Sequence, residues 1–199
     1  ERTRVLDGSF DDGLALSVFE ELGGLVDALS AEQPERELPT TFELLTLFGF
    51  LAFRAARCDF AVVEVGIGGR TDATNVLRPT ATVINRVELE HTELLGPTIR
   101  AIAAEKSGII HAGVPVYVGS QTEEAMTTIE RVAALRGAPV RRVDSLVSVD
   151  SVRTGTTGTR VRLHLPERPA FHTTLRLVGD VQAQNAALAA LVVSGTRPD

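Results

Sequence analysis

The chain has 199 residues, 44% of them apolar and 23% charged, enough length and hydrophobicity to bury the core of a domain. Its 20 Lys plus Arg against 26 Asp plus Glu leave a net charge of −6, which argues against nucleic-acid or anionic-membrane partners, since either needs a basic face. The single cysteine, Cys58, excludes an internal disulfide and a Cys-based zinc site and points to a reducing compartment, so a cytoplasmic location is expected. The longest apolar stretch, 44–53, is too short to span a bilayer, and no basic-then-apolar segment opens the chain. Residue 1 is Glu and the only methionine is Met126, an unusual start for a reading frame.

In chain order, Ser9, Phe10, Asp11 and Asp12 predict a capping box. Leu14, Val18, Phe19, Leu22, Leu25, Val26 and Leu29 then recur at helical spacing. Residues 30–39 are polar and proline-punctuated, a surface connection. Thr40, Thr41, Phe42 and Glu43 open a second helix, apolar on nearly every side from Phe42 to Phe53, which predicts a buried helix. The runs at 60–65 (FAVVEV), 80–85 (TATVIN) and 114–118 (VPVYV) suit strands buried on both faces, as in a parallel sheet flanked by helices. Helices are predicted over 98–110 and 122–136, the second closed by Gly137. Residues 160–165 alternate strictly after the turn residues at 154–159, predicting antiparallel strands with one wet face. Residues 182–193 return to helix. The expected fold is α/β: a mostly parallel sheet flanked by helices, with a small antiparallel β appendage near 140–178 and a terminal helix at 181–194, all within one domain, 1–199.

Several side chains could carry chemistry. Glu64 sits inside an apolar run directly before Gly66-Ile67-Gly68-Gly69, either a desolvated carboxylate near the ligand-binding end of a strand or an edge-strand Glu facing water. The Gly66–Gly69 cluster and the polar residues Arg70 to Asn75 form either a ligand-approaching turn or a simple solvated one. No Gly-x-x-x-x-Gly-Lys-Ser/Thr phosphate loop occurs in the sequence. His91, among Glu88, Glu90 and Glu93, is a metal ligand or a surface histidine. Lys106 is the sole lysine, and lysine is the cationic side chain able to lose its proton and act as a nucleophile; an ordinary helix-surface lysine is the plainer reading. Thr40 and Glu43 already have a sufficient role as a capping box.

Taken together, the stretches Thr40-Thr41-Phe42-Glu43-Leu44-Leu45-Thr46, Val63-Glu64-Val65-Gly66-Ile67-Gly68-Gly69-Arg70-Thr71-Asp72-Ala73-Thr74-Asn75, Leu89-Glu90-His91-Thr92-Glu93-Leu94-Leu95-Gly96 and Ile102-Ala103-Ala104-Glu105-Lys106-Ser107-Gly108-Ile109 resemble the folylpolyglutamate synthase / dihydrofolate synthase family, a branch of the Mur-type ATP-dependent amide ligases. The resemblance is strong over residues 40–120 and extends to Glu1-Arg2 and to the helix at 179–190. It implies that Glu64 and His91 bind catalytic Mg2+, and that Lys106 is carbamylated into an oxygen ligand for that hard cation. It implies that Thr40, Thr41, Phe42, Glu43, Thr71, Asp72 and Ala73 hold the pterin-bearing substrate and that Asn185 contacts the adenine of ATP.

The implied reaction adds L-glutamate to dihydropteroate or to (poly)glutamylated folates: a substrate carboxylate attacks the γ-phosphate of ATP, and the glutamate amine displaces phosphate from the acyl phosphate. Its partners would be these small molecules. Four departures from the family's pattern stand out. Asn85-Arg86-Val87-Glu88-Leu89-Glu90-His91 replaces a T-N-x-G-x-D-H segment, and Val181 replaces a histidine before Gln182. The G-T-N-G-K-G-S phosphate loop and the D-G-A-H-N segment of a C-terminal domain are missing from the sequence. A fragment, inactive as an isolated chain, is therefore expected. The alternatives are a non-catalytic remnant serving as a binding or interaction domain, and a Mur-type ligase with another carboxylate substrate.

Overall fold

The computed structural model describes residues 10–196. The cap expected to involve Ser9 and the motif at Glu1 and Arg2 lie in part or whole outside the described residues. The chain forms two compact units, 1–66 and 67–199.

In the first unit, helix α1 (Asp12–Glu32) starts on Asp11, whose Oδ1 accepts the Leu14 N–H at 2.9 Å. Helix α2 (Thr41–Ala55) starts on the predicted capping box: Glu43 N–H donates to Thr40 Oγ1 at 3.3 Å, and Thr40 N–H donates back to Glu43 Oε2 at 2.7 Å. The two helices bury Val18, Leu22 and Leu51 between them, with Phe10, Val26, Leu44, Leu47 and Phe48 packed around. Phe48 meets the Phe19 ring at a centroid distance of 4.8 Å, and Arg54 Nη2 donates to both carboxylate oxygens of Glu21 at 2.5 and 2.6 Å.

Two expectations fail in this unit. Helix α2 is not enclosed on every side: only Gly49, Leu51 and Ala52 are buried, and Leu45 keeps 49% of its surface. Its packing comes from α1 on one face, so an all-round apolar pattern overstates its burial. The run at 60–65 is no strand among the described residues, and Val62 is 95% exposed. A β-branched run favours extended backbone, but a strand exists only where a neighbour supplies the ladder hydrogen bonds.

The second unit is layered. Strands β1 (Thr82–Ile84), β2 (Val116–Val118) and β3 (Val140–Arg142) form a parallel sheet in the order β1-β2-β3. Between β1 and β2 run helices α3 (Thr92–Leu95) and α4 (Ile99–Lys106) and a 3-10 turn, Ser107–Ile109; α5 (Glu123–Leu135) joins β2 to β3. Helix α4 is capped by Thr98 and α5 by Thr122, whose hydroxyls accept from Ala101 and Ala125 N–H. Ala125, Met126, Ile129 and Ala133 line one stripe of α5, the 3.6-residue period that sequence alone shows.

Alternation along β2 divides the core. Val116 and Val118 pack with Ile84, Ile102, Ala103, Ile129 and Ala133, whereas Tyr117 packs on the opposite side with Ala183, Ala187, Leu188 and Leu191 of α7 (Asp180–Thr196). Burying each of the large aliphatic side chains stabilises by about 1.5–3 kcal/mol. After the short α6 (Val143–Leu146), strands β4 (Ser148–Gly155), β5 (Gly158–His164) and β6 (Phe171–Leu175) make an antiparallel sheet. Its inner residues Val161 and Leu163 join the α7 core, while Arg160 and Arg162 point outward and are exposed. The fold class is α/β as expected, with one boundary shifted. Residues 140–142 belong to the parallel sheet, because Val116, Tyr117 and Val118 pair with Val140, Arg141 and Arg142.

Candidate active site

The Gly-rich loop is shaped by its own polar residues. Asp72 Oδ1 accepts from Thr74 N–H at 2.9 Å and from Thr74 Oγ1 at 2.6 Å, capping the 3-10 turn Ala73–Val76, and its Oδ2 accepts from Ile67 N–H at 3.2 Å. Three side chains and backbone groups then dock the loop on the end of α4. Arg70 N–H donates to the Glu105 carbonyl at 3.1 Å. The Arg70 guanidinium reaches Glu105 Oε1 at 3.2 Å and the Ala104 carbonyl at 3.3 Å. Asn75 Nδ2 donates to the carbonyls of Arg70 and Gly108 at 3.0 and 3.3 Å, and its Oδ1 meets His111 Nε2 at 3.2 Å. Gly108 permits this approach: a Cβ there would run into Arg70 Cα, Cβ and N. Thr71 is therefore an exposed member of a rigid turn, with Asp72 and Ala73 half-buried beside it.

Lys106, the last residue of α4, is half-buried and its Nζ lies 2.6 Å from Glu90 Oε1. That hydrogen bond, with the ammonium charge, holds the Glu90 carboxyl below the usual carboxylate range. His91 follows Glu90 and has φ 47° and ψ 39°, a left-handed conformation that non-glycine residues adopt at a cost. The structure thus brings Lys106 to the segment that carries His91, and Glu90 is the contact between them. Its sequence signal was only a departure from the family motif.

The other candidates occupy separate elements. Glu64 lies in the first unit and is exposed, so the desolvated carboxylate of the buried-strand reading is not observed. Thr40 and Glu43 are engaged with each other in the cap of α2, with Thr41 and Phe42 in its first turn. Thr40's N–H and hydroxyl, both donating to Glu43, keep its carboxyl low. Asn185 is half-buried near the start of α7, where its Oδ1 accepts from Asn85 Nδ2 at 3.1 Å.

Among the described residues no group of three or more His, Cys, Asp or Glu is arranged to hold a metal ion. Lys106 faces Glu90 as a cation rather than offering an oxygen. As an ammonium, Lys106 offers no lone pair to Mg2+, and carbamylation would be needed to give it an oxygen donor. No helix among the described residues is long and apolar enough to cross a membrane.

Comparison with known proteins gives a consistent answer. The Mur ligase middle domain profile matches residues 14–193. The chain is 39% identical over 150 residues to a folylpolyglutamate synthase of Lacticaseibacillus casei, an alignment covering 75% of this chain and 35% of that protein. It is 35% identical over 167 residues to the dihydrofolate synthase/folylpolyglutamate synthase of Bacillus subtilis (strain 168), covering 83% of this chain and 38% of that protein. A solved FPGS complex with AMPPCP and folate matches with a TM-score of 0.87 and 33% identity, over 93% of this chain and 45% of that one. The chain spans between a third and two fifths of the length of those curated relatives. With the parallel sheet, the antiparallel appendage and the docked G-G-R-x-D-A-T-N loop all in place, the chain belongs to the Mur ligase family, matching its middle domain in the branch of the folylpolyglutamate and dihydrofolate synthases.

Proposed function

We propose that this middle domain, residues 1–199, serves an ATP-dependent ligase that adds L-glutamate to dihydropteroate or to (poly)glutamylated folates through an acyl phosphate. The observation that carries this reading is the docking of the 70–75 loop against the Lys106 helix, with Lys106 reaching the His91 segment through Glu90. A solved relative that holds AMPPCP and folate supports the substrate class.

On this reading Thr71, Asp72 and Ala73, together with Thr40, Thr41, Phe42 and Glu43, hold the pterin-bearing acceptor. The hydrogen-bonded turn around Asp72 would keep its side of that site from rearranging as the acceptor binds. Asn185 would contact the adenine. Glu64, His91 and Lys106 would surround the reacting groups. Phosphoryl transfer to a carboxylate needs its developing negative charge met by fixed donors, and the half-buried Lys106 ammonium is such a donor in its present form. A Mg2+ ion held by Glu64, His91 and a carbamylated Lys106 is what the resemblance adds; it would require Lys106 to leave Glu90. The ion would supply charge neutralisation at the phosphates. We place the protein in the cytoplasm, the reducing compartment that its lone cysteine favours.

The test is incorporation of labelled L-glutamate into dihydropteroate and into folate by the whole protein that carries this domain, with and without ATP, since the 199-residue chain by itself is expected to be inactive. Product that forms only with ATP, with stoichiometric ADP, is expected. Robust ATP hydrolysis with neither acceptor glutamylated would assign the domain to a ligase with another carboxylate substrate, and no nucleotide turnover would favour a binding module.

A further inference from the structure

Four side-chain amides meet where β1 and β2 end and α7 begins. Asn85 follows β1, Gln121 lies between β2 and α5, and Gln182 and Asn185 are in the first turns of α7. Gln121 ties its loop to backbone groups on both sides of its amide. Its Oε1 accepts from Val87 N–H at 2.9 Å and its Nε2 donates to the Asn85 carbonyl at 2.7 Å. Backbone donors and acceptors cannot exchange roles, so the Gln121 amide has one orientation and the backbone at 85–87 is held. Gly119 leaves room for the Asn85 side chain, because a Cβ there would stand 2.9 Å from Asn85 Oδ1. Asn85 Nδ2 then reaches Asn185 Oδ1 at 3.1 Å across 100 residues of chain. One Asn185 Nδ2 proton goes to Gln182 Oε1 at 3.3 Å.

The remaining hydrogen-bonding capacity of Asn185 is one acceptor site on Oδ1 and one Nδ2 proton, on a half-buried amide. That pair complements the amino-donor and ring-nitrogen-acceptor edge of adenine, and it mismatches guanine, which presents two acceptors on the same edge. We propose that Asn85 is a positioning residue that sets the orientation of the Asn185 amide, and through it the preference of this domain for adenine over guanine nucleotides. The proposal rests on the assignment of Asn185 to the nucleotide base.

Asn85 does this by donating. Aspartate at 85 has the same shape and no donor, so it would draw an Asn185 Nδ2 proton, turn that amide over and reverse the order of donor and acceptor. The experiment is equilibrium binding of ADP and of GDP to the wild-type protein, to Asn85→Asp and to Asn185→Ala, each checked for an unchanged melting temperature. Asn185→Ala is expected to weaken ADP. Asn85→Asp is expected to shrink the ratio of ADP to GDP affinity by about tenfold, the scale of one bidentate base contact. The ratio cancels the added negative charge, which repels both nucleotides alike. If Asn85→Asp weakens ADP and GDP equally, or leaves both unchanged while Asn185→Ala weakens ADP, the positioning role is wrong and the nucleotide assignment survives. If wild type does not bind ADP, or Asn185→Ala binds it as wild type does, both fall.

Discussion

At the scale of single residues, the capping box at Thr40 and Glu43 shows which features a sequence reveals completely. All its partners lie within one helical turn, so the pattern contains the geometry. Hydrogen bonds from Thr40 lower the Glu43 carboxyl in the folded chain. The box therefore contributes stability above the ordinary carboxylate range, about pH 4.3, and loses it as pH falls through the lower folded value. An NMR titration of Glu43 should give a midpoint below that range, and Thr40→Ala should return it to the ordinary one; equal midpoints in the two proteins would contradict the cap. Glu64 behaves in the opposite way. Its expected desolvation depended on neighbours remote in sequence, and the residue is exposed. Asn85 stood out only as part of a departure from the family pattern, and its contact was not legible, since its partner Asn185 is 100 positions away.

At the scale of elements, helices α4 and α5 were legible because a cap and an apolar stripe are local and periodic. Strands were less so. Val140–Arg142 carries two arginines and does not read as a core strand, yet β2 pairs with all of it. The run at 60–65 reads as an ideal core strand and is not one. Hydrophobic pattern reports how a strand could be buried, while pairing is decided elsewhere in the chain. The docked loop adds a similar lesson. Its composition marked it as a turn, but its rigidity comes from Arg70 and Asn75 bonding to the end of α4 and from the missing side chain at Gly108. Gly108→Ala should destabilise the second unit by about 1–3 kcal/mol, the usual cost of overpacking a filled contact. Urea denaturation would read the loss, and wild-type stability would show that the loop does not rest against Gly108.

At the scale of the molecule, layer order follows from residues buried on both faces of β2, with α4 and α5 on one side and α7 with the antiparallel sheet on the other. Net charge was a poorer guide than composition suggested. The acidic total hides an antiparallel sheet whose outward positions include Arg153 directly opposite Arg160, an unfavourable pairing across strands. Acidic residues are instead concentrated in the first 66 positions. A charge sum says how many groups there are, and the fold says where they face.

Lys106 is the cation brought to the His91 segment, and the proposed function gives it a part in phosphoryl transfer. The most direct measurement is ATP-dependent glutamate incorporation by the whole protein that carries this domain, as Lys106→Ala and as wild type, with melting temperature as the control. Loss of a fixed donor to the transferring phosphoryl group predicts a kcat lower by about 100-fold or more, with the fold retained. Wild-type turnover by Lys106→Ala would contradict the account.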